Sequence, residues 1–526
     1  MVLFRQSKCF PFVTEIGLAV LSSFLIYLSI PKVEWWLVAW IAFVPILIAL
    51  KSAGHSNKIA RICLVALVFG FFSGVSKVYW IMDTVMNYGG LDVILGLVSM
   101  IGVALLVASY TFIFGIFVAR TDWRSPFFPV FSASIWTALE YVQTYLFTGF
   151  PWELLGYSQY QVLPVIQIAR FTGVYGVSFL VMLMNATLAM IFVALRDQFK
   201  WRSPVFAISL SCFSLISVLG YGWWSLSPKQ EVNSGVSPVT VSVIQGSMEQ
   251  GIKWSEGVLQ KTVNIYKNLT RKALPQNPDL IVFPETAMTF YLESPAYREL
   301  NEQIHELTDE AGVPLLTGAL GSGAQGKGVY NSAFLFLPGL GIVDSYSKMH
   351  LVPFGEYLPL PQVFGFLGGL TGAIGSLTPG AKLSVMELNQ YDIGLGTVIC
   401  YESIFPDLVR RFPLNGANVL VVMTNDAWFG TSSAPNHHFS MAVLRAVENG
   451  TPVIRAANTG ISGFIAATGA VYGTTPLMVA TTTTEKVQPR VGKMTFYTRY
   501  GDIFAVLCCI VCIAAAALTG SRNTSF

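Results

Sequence analysis

Cys400 has the residue type and the position of a catalytic nucleophile. It follows the apolar run Ile393–Ile399 and precedes Tyr401 and Glu402, so it is predicted at the end of a strand, where a turn enters a helix. Such a position exposes a side chain and presents backbone N–H groups, which suits a nucleophile beside an oxyanion site. A buried structural cysteine is the alternative, because cysteine is among the residues most often buried.

Glu285 and Lys348 could supply the proton transfer and the positive charge that such a nucleophile needs. Glu285 follows the buried strand pattern Leu280–Phe283, where apolar neighbours can raise the pKa of a carboxyl group so that it serves as a general base. Lys348 is predicted at the end of another strand and could stabilise a developing oxyanion. Taken singly, each could equally be an ordinary solvated loop residue.

The remaining cysteines and the histidines indicate neither a disulfide framework nor a metal site. Of the seven cysteines, only Cys400 lies outside the apolar segments and their borders. The five histidines form no HExxH motif and the chain has no pair of CxxC motifs, so no metal is expected. The adjacent His437 and His438 suggest a Cys–His dyad, but two polar loop residues are the preferred interpretation. A net charge of +3 without a long basic run argues against nucleic acid.

The composition divides the chain into apolar ends and a polar middle. Hydrophobic residues make up 53% and charged residues 12%, which is about half the charged share of an ordinary soluble domain. A helix that crosses a bilayer needs about 20 apolar residues. About eight spans are predicted, at Ile16–Ile30, Trp35–Leu50, Ile62–Ser76, Val93–Ala119, Ser125–Phe147, Phe171–Leu195, Ser203–Pro228 and Ile503–Ser521.

The lysines and arginines of the short loops predict how these spans are oriented. With the N-terminus in the cytoplasm, basic residues collect in the loops on the cytoplasmic side. Both termini are then cytoplasmic, and residues 229–500 face the outside, which is the periplasm in a bacterium. The cytoplasmic loops hold Arg5, Lys8, Lys51, Lys58, Arg61, Arg120, Arg124, Arg196, Lys200, Arg202 and Arg522.

The polar middle alternates between strand-like and helix-like stretches, which indicates an α/β domain with layered sheets. The predicted domains are a bundle of seven helices over residues 1–228, a catalytic domain over 229–500, and a final span with a short tail over 501–526. Strands are predicted at Val239–Gln245, Leu280–Phe283, Pro314–Ala319, Val329–Leu337, Ile393–Ile399, Asn418–Met423, Pro452–Ala456 and Ile461–Ala467.

Several motifs occur in one order along nearly the whole chain, and together they resemble the apolipoprotein N-acyltransferases, the membrane-bound branch of the nitrilase superfamily. The motifs are GFPWELLGYSQ at 149–159, QGSMEQGIKW at 245–254, FPET ending at Thr286, KMHLVPFGEYLP from Lys348, CYES from Cys400 and TNDAWFG at 424–430. The resemblance implies an αββα sandwich for the middle domain, joined to a multi-pass helical bundle.

The resemblance also implies roles for individual residues. Glu285 is the proton acceptor, Lys348 stabilises the oxyanion and Cys400 is the nucleophile. Glu356 matches a second glutamate that orients the lysine. Three further residues match positions that the family needs for activity, namely Trp254, Tyr401 and Glu402. Asn425 and Trp428 lie in a motif near the pocket and receive no role.

The reaction that the resemblance implies has two steps and needs no cofactor. An acyl chain of a membrane phospholipid, phosphatidylethanolamine being the usual donor, moves to the thiol of Cys400 as a thioester. The α-amine of the diacylglyceryl-cysteine of an apolipoprotein then accepts it, which completes lipoprotein maturation at the bacterial inner membrane. The stretch Leu358–Leu370 is predicted to contact lipid acyl chains, because the large apolar residues Phe364, Phe366 and Leu367 stand there among glycines. Burial of these residues against the domain or the helix bundle is the alternative.

Two other functions fit parts of the sequence. A membrane-tethered amidase or nitrilase would use the same three residues on small C–N substrates, but one anchor would suffice, so eight spans argue against it. A transporter with an accessory domain should show paired broken helices or internal symmetry, and the sequence shows neither. Glu140 lies within a predicted span, where a carboxylate is costly and usually paired or functional. A structural role is expected for it, with pairing to Arg170, and Glu153 has no explanation.

Overall fold

The computed structural model describes residues 10–56, 58–227, 236–249, 256–322, 328–365 and 376–522, without the side chains of 256, 363, 364 and 516–522. The chain divides into two compact units. The first comprises Met1–Ile81, Leu97–Ser227 and Tyr500–Phe526, and the second comprises Met82–Gly96 and Pro228–Arg499. The segment Met82–Gly96 therefore groups with the second unit, although it lies within residues 1–228.

The described residues form helices in both units, numbered here in chain order. The helices are α1 (Phe12–Ser29), α2 (Val44–His55), α3 (Ile59–Val78), α4 (Trp80–Asn87), α5 (Val93–Arg120), α6 (Phe128–Tyr145), α7 (Leu163–Ile166), α8 (Ala169–Thr172), α9 (Val174–Asp197), α10 (Arg202–Leu226), α11 (Leu259–Ala273), α12 (Arg298–Ala311), α13 (Pro361–Phe364), α14 (Pro406–Leu414), α15 (Ala434–Asn449), α16 (Phe496–Tyr500) and α17 (Ile503–Arg522).

Six helical segments in the described part of the chain are long and apolar enough to cross a membrane. They are Phe12–Ser29, Trp36–His55, Ile59–Val78, Val93–Arg120, Val174–Asp197 and Arg202–Leu226. The expected number of about eight is approximate, because it also counts α6 and α17. Helix α6 is outside the six and contains the buried Glu140, and the apolar stretch described in α17, Ile503–Ala515, is shorter.

Glu140 is bound within the first unit to the segment that follows α6. Its Oε1 accepts hydrogen bonds from the backbone N–H of Leu155 at 2.7 Å and from the indole N–H of Trp136 at 2.9 Å. The expected pairing with Arg170 is not among the contacts of the described residues. Buried carboxylates need such donors, so Glu140 fixes the GFPWELLGYSQ segment to α6. Glu153 of that segment is fully buried, and its carbonyl oxygen accepts a hydrogen bond from Lys77.

The described residues of the second unit form two sheets. Their strands are β1 (Val239–Gln245), β2 (Leu280–Val282), β3 (Met288–Tyr291), β4 (Leu315–Ser322), β5 (Val329–Leu337), β6 (Gly341–Ser347), β7 (Val385–Leu388), β8 (Ile393–Ile399), β9 (Val419–Thr424), β10 (Val453–Ala457), β11 (Gly463–Ile465), β12 (Val471–Tyr472) and β13 (Thr481–Val487). The first sheet has the order β13-β1-β2-β4-β5-β6, with β3 also paired to β4. The second sheet has the order β12-β11-β10-β9-β8-β7.

The two sheets pack face to face between layers of helices. Strands β1, β2 and β4 run parallel, as do β8, β9 and β10. Helices α11 and α12 cover the first sheet and α14 and α15 cover the second, while β1 packs on β10 and β5 on β8. The central strands are buried along their whole length because both faces are covered. The expected αββα sandwich is confirmed, and the carboxyl ends of its parallel strands are where a site is expected.

Candidate active site

Cys400 lies where strand β8 ends and a short 3-10 helix, Cys400–Ile404, begins. Its φ of +53° is in the left-handed region, which a residue with a side chain adopts at a cost of about 1–3 kcal/mol. The side chain is 9% exposed. Because strained backbone of this kind persists only when its surroundings hold it, the turn presents the thiol in one fixed direction.

Glu285 lies just beyond the carboxyl end of β2, in the other sheet. Its Oε1 accepts a hydrogen bond from the side-chain amide of Asn331 at 2.7 Å, and its Oε2 accepts one from the backbone N–H of Asn425 at 2.7 Å. Asn331 belongs to β5 of the first sheet, whereas Asn425 follows β9 of the second. The carboxylate is therefore fixed from both sheets, although burial would make an unsupported carboxylate costly.

Lys348 follows β6 and is 1% exposed. Its Nζ lies 2.7 Å from Oε1 of Glu356 and 3.7 Å from Oε1 of Glu285. Burial by itself would lower the pKa of Lys348, but the two carboxylates, Glu356 first, outweigh burial and raise the pKa above its ordinary value. The ammonium group is consequently charged at neutral pH and lies between the two glutamates.

Glu356 is held by the loop that contains it. Its Oε2 accepts a hydrogen bond from the backbone N–H of Val352 at 2.8 Å, and its Oε1 is bound to Lys348. The structure thus brings together Glu285, Lys348 and Glu356, which the sequence separates by up to 71 positions.

The charges of Glu285 and Lys348 both affect the pKa of the Cys400 thiol. Burial raises its pKa, Glu285 raises it further, and Lys348 opposes them without cancelling them. The thiol is therefore protonated at neutral pH. Because the thiolate is the nucleophilic form, an attack by Cys400 requires a base that removes the proton at that moment, and Glu285 is the carboxylate whose charge acts on the thiol most strongly.

Glu402 connects the turn of Cys400 to the loop of Lys348. Its Oε2 accepts a hydrogen bond from the backbone N–H of Ile399 at 2.7 Å. Its Oε1 accepts three, from the hydroxyl of Tyr346 and the N–H of Met349, both at 2.7 Å, and from the N–H of His350 at 3.1 Å. A fully buried carboxylate with four donors acts as a structural link. It therefore joins the turn of Cys400 to the loop of Lys348.

Tyr401 belongs to an aromatic cluster beside the turn. Its ring makes an edge contact with Phe405, at 5.0 Å between centroids, and a tilted contact with His350 at 5.7 Å. His350 in turn stacks on Phe405 at 4.0 Å. The side chain of Tyr401, which directly follows Cys400, is packed within this cluster. The backbone of Tyr401 is therefore also held in place.

Trp428 of the TNDAWFG motif contacts the segment Met82–Gly96 within the second unit. Its carbonyl oxygen accepts a hydrogen bond from the hydroxyl of Thr84 at 2.8 Å, and its ring meets Tyr88 edge-on at 5.4 Å. Among the predicted site residues, Trp254, Phe366 and Leu367 and the side chain of Phe364 lie outside the described residues.

Comparison with known proteins gives consistent results over most of the chain. Residues 22–187 match the apolipoprotein N-acyltransferase N-terminal domain, and residues 240–494 match the carbon-nitrogen hydrolase family. The apolipoprotein N-acyltransferase of Geobacter metallireducens is 38% identical over 96% of this chain and 95% of its own. That of Pasteurella multocida is 31% identical over 92% of this chain and 91% of its own. The chain belongs to the apolipoprotein N-acyltransferase family.

As a member of the apolipoprotein N-acyltransferase family, the chain is an acyltransferase with a carbon-nitrogen hydrolase domain. Its apolar helices and its bacterial relatives make it a bacterial membrane protein that acts on lipid and lipoprotein substrates. Among solved structures, the carbon-nitrogen hydrolase of Helicobacter pylori G27 is similar at 20% identity and a TM-score of 0.37, over 48% of this chain and 89% of its own.

The contacts of three residues at the candidate site of this acyltransferase were not predicted from the sequence. Asn331 and the backbone of Asn425 bind Glu285, and the buried His438 contacts the carbonyl oxygen of Cys400. The interpretation of His437 and His438 as loop residues is wrong, because both lie buried on α15. A usable signal existed for Asn331, which is a lone amide within the apolar strand Val329–Leu337, where a polar side chain needs a partner.

Proposed function

We propose that the enzyme transfers an acyl chain from a membrane phospholipid to the α-amine of the diacylglyceryl-cysteine of an apolipoprotein through a thioester on Cys400. One observation carries the proposal. Glu285 and Lys348 lie together in a buried site, where Asn331 and Asn425 bind the carboxylate. Glu402 joins the turn of Cys400 to the loop of Lys348. Family membership supports the identity of both substrates.

In the first step Sγ of Cys400 attacks the carbonyl carbon of the sn-1 ester, and Glu285 takes the thiol proton. The oxygen of the tetrahedral intermediate carries a negative charge. Lys348 and the backbone N–H of Tyr401 stabilise it. When the intermediate collapses, the C–O bond breaks, and the leaving alkoxide receives the proton from Glu285. A lysophospholipid departs and the thioester remains.

In the second step the α-amine of the acceptor attacks the thioester carbonyl carbon, and Glu285 takes a proton from the nitrogen. The same two donors stabilise the second oxyanion. The C–S bond then breaks, an amide forms, and the thiolate of Cys400 receives the proton from Glu285. A thioester suits this sequence because it reacts with amines and persists when water is excluded.

Phosphatidylethanolamine is the proposed donor, and the bacterial inner membrane is the proposed location. The distribution of lysines and arginines in the short loops supports cytoplasmic termini and a periplasmic catalytic domain. Both substrates are membrane-anchored on that side, which gives a reason for joining the carbon-nitrogen hydrolase domain to several apolar helices. Contact of Phe364, Phe366 and Leu367 with acyl chains remains a prediction.

Mass spectrometry of the purified full-length protein tests the proposal. After incubation with phosphatidylethanolamine vesicles and no acceptor, we expect an acyl adduct on Cys400 that neutral hydroxylamine removes. Cys400→Ala should form no adduct, whereas the control Cys212→Ala, which replaces an exposed cysteine, should behave as the wild type. Adding a diacylated lipopeptide should then produce triacylated peptide. Acyl transfer by Cys400→Ala would refute the mechanism, and release of free fatty acid instead of amide would indicate a hydrolase.

A further inference from the structure

Three buried polar side chains form a network below the turn of Cys400. Asp426 follows β9, His438 lies on α15 and Arg455 lies on β10, and none is more than 1% exposed. Oδ1 of Asp426 lies 3.0 Å from Nδ1 of His438, and Arg455 donates a hydrogen bond to Oδ2 of Asp426 at 2.8 Å. The imidazole ring is therefore fixed by groups from two other elements.

The other nitrogen of the ring, Nε2, is directed at the backbone of the nucleophile. It lies 3.1 Å from the carbonyl oxygen of Cys400 and 2.8 Å from the hydroxyl of Ser403. Ser403 itself donates to the same carbonyl oxygen at 2.8 Å. Ser403 donates its one proton to this carbonyl oxygen, so a bare Nε2 would face lone pairs on both oxygens. A bare Nδ1, by contrast, can accept from Arg455, whose Nη2 lies 3.2 Å away. We therefore assign the ring proton to Nε2, and the carbonyl oxygen of Cys400 then accepts two hydrogen bonds.

This carbonyl belongs to the same peptide unit as the N–H of Tyr401. A trans peptide is planar, so its C=O and N–H point in opposite directions, and the chain contains no cis bond among its described residues. Drawing the carbonyl toward His438 therefore aims the N–H of Tyr401 to the opposite side. Hydrogen bonds accepted by a carbonyl also polarise its peptide and strengthen the N–H as a donor, by about 10–30%.

We propose that His438 is a positioning residue of the acyl-transfer reaction, which holds and polarises the Cys400–Tyr401 peptide so that its N–H stabilises the oxyanion. The proposal rests on the proposed function, in which this N–H is one of two oxyanion donors. Asp426 and Arg455 fix the ring, and Ser403 donates a second hydrogen bond to the same carbonyl oxygen. The histidine thus acts on the carbonyl oxygen of the nucleophile rather than as a base in a Cys–His dyad.

Asn425 couples this network to Glu285, the proposed general base. Asn425, whose N–H binds Glu285, directly precedes Asp426, which binds His438. The hydroxyl of Thr424 also donates to Asp426, at 2.9 Å. One short segment after β9 therefore fixes both the base and the ring that orients the oxyanion donor, so a shift of this segment should disturb both.

Two rates measured on the same full-length variants separate positioning from a general loss of structure. Iodoacetamide alkylates Cys400 by direct displacement and forms no oxyanion. Acylation of Cys400 from vesicles of phosphatidylethanolamine and phosphatidylglycerol does form one. We expect His438→Leu to lower the acylation rate by about 10- to 100-fold and to change alkylation by less than about threefold, since supporting residues cost less than a direct donor.

The conservative variant and a matched control complete the experiment. His438→Gln places an amide N–H near the position of Nε2, so it should restore most of the acylation rate. His437→Leu removes a buried imidazole from the same helix, about 100° around its axis, and should cause no selective loss of acylation. Equal losses of acylation and alkylation in His438→Leu, or unchanged acylation, would overturn the inference.

Ser403→Ala keeps the test decisive if His438→Leu does not fold. It removes the second hydrogen bond to the same carbonyl oxygen, so acylation should again fall while alkylation persists. Unchanged acylation in a folded Ser403→Ala protein would contradict the inference. Failure of the proposed function looks different, because the wild-type protein itself would then form no thioester on Cys400.

Discussion

The backbone N–H of Asn425 donates a 2.7 Å hydrogen bond to Oε2 of Glu285, across the interface between the two sheets. The carboxylate comes from the end of β2 and the donor from the end of β9. Neither sheet alone holds the proposed base, so the acid–base chemistry depends on the packing of one sheet on the other.

Glu285→Gln should slow acylation of Cys400 and make it strongly dependent on pH. Burial and, second, the charge of Glu285 raise the pKa of the thiol. The substitution removes the second cause but not the first, so the thiol stays mostly protonated at pH 7. Below the pKa the thiolate fraction rises about tenfold per pH unit, and the acylation rate should follow it.

Acylation rates between pH 7 and pH 9, followed by mass spectrometry, check this prediction. The wild type should show a shallower dependence, because its base removes the proton during the attack. Glu293→Gln replaces an exposed glutamate nearby and should behave as the wild type. A variant profile as flat as that of the wild type would mean that Glu285 is not the base.

Lys348→Met should lower the acylation rate by about 10²–10³-fold, the cost of one oxyanion donor, while iodoacetamide still alkylates Cys400. It should also cost about 3–5 kcal/mol of stability, because Glu356 and Glu285 lose their buried partner. The exposed Lys382→Met serves as the control for both measurements. An acylation rate within threefold of the wild type would exclude Lys348 as an oxyanion donor.

The sign of the pH dependence of stability follows from the raised pKa of Lys348. In the wild type the ion pairs of Lys348 should contribute fully to the free energy of unfolding below the unfolded-state pKa of about 10.4. This contribution should be lost only as the pH rises through the folded-state pKa. Lys348→Met lacks this ammonium group, so its stability should not show that loss as the pH rises above about 10.4. Thermal unfolding of both proteins at alkaline pH checks the difference.

Glu402→Gln should destabilise the catalytic domain although it changes only one atom. The carboxylate accepts hydrogen bonds at both oxygens, whereas a glutamine must direct its NH₂ group at one set of donors. We expect a loss of about 1–3 kcal/mol in the free energy of unfolding. Acylation and alkylation of Cys400 should both change, because the turn and the lysine loop lose their link. Glu387→Gln, at an exposed position, is the control. A wild-type unfolding midpoint would rule out the structural role.

Reporter fusions test the proposed orientation. A reporter at Lys200 should be active on the cytoplasmic side and one at Gln325 on the periplasmic side, because basic residues of short loops are retained in the cytoplasm. Two cytoplasmic results would show that the charge distribution does not set the orientation of this chain.

Much of the second unit could be predicted from local sequence patterns. Continuous apolar runs mark strands that are buried on both faces, so β1, β5 and β8 are predicted with the bounds that the structure gives them. Strand β13 was not predicted, and β6 was predicted only by its end at Lys348, because both strands are polar and partly exposed. A strand such as β13, Thr481–Val487, is defined by its pairing with β1, which no local pattern encodes.

The sequence by itself determined the residue types, their places at strand ends and the family motifs, because these are local properties of the chain. It could not determine which polar groups would meet once the sheets packed. Glu402 binds Met349, 53 residues away, and His438 binds the carbonyl oxygen of Cys400, 38 residues away. Such hydrogen bonds depend on distances of about 3 Å between elements that are remote in sequence. Only the tertiary structure therefore decided that the backbone of Cys400, and not its thiol, is the partner of His438.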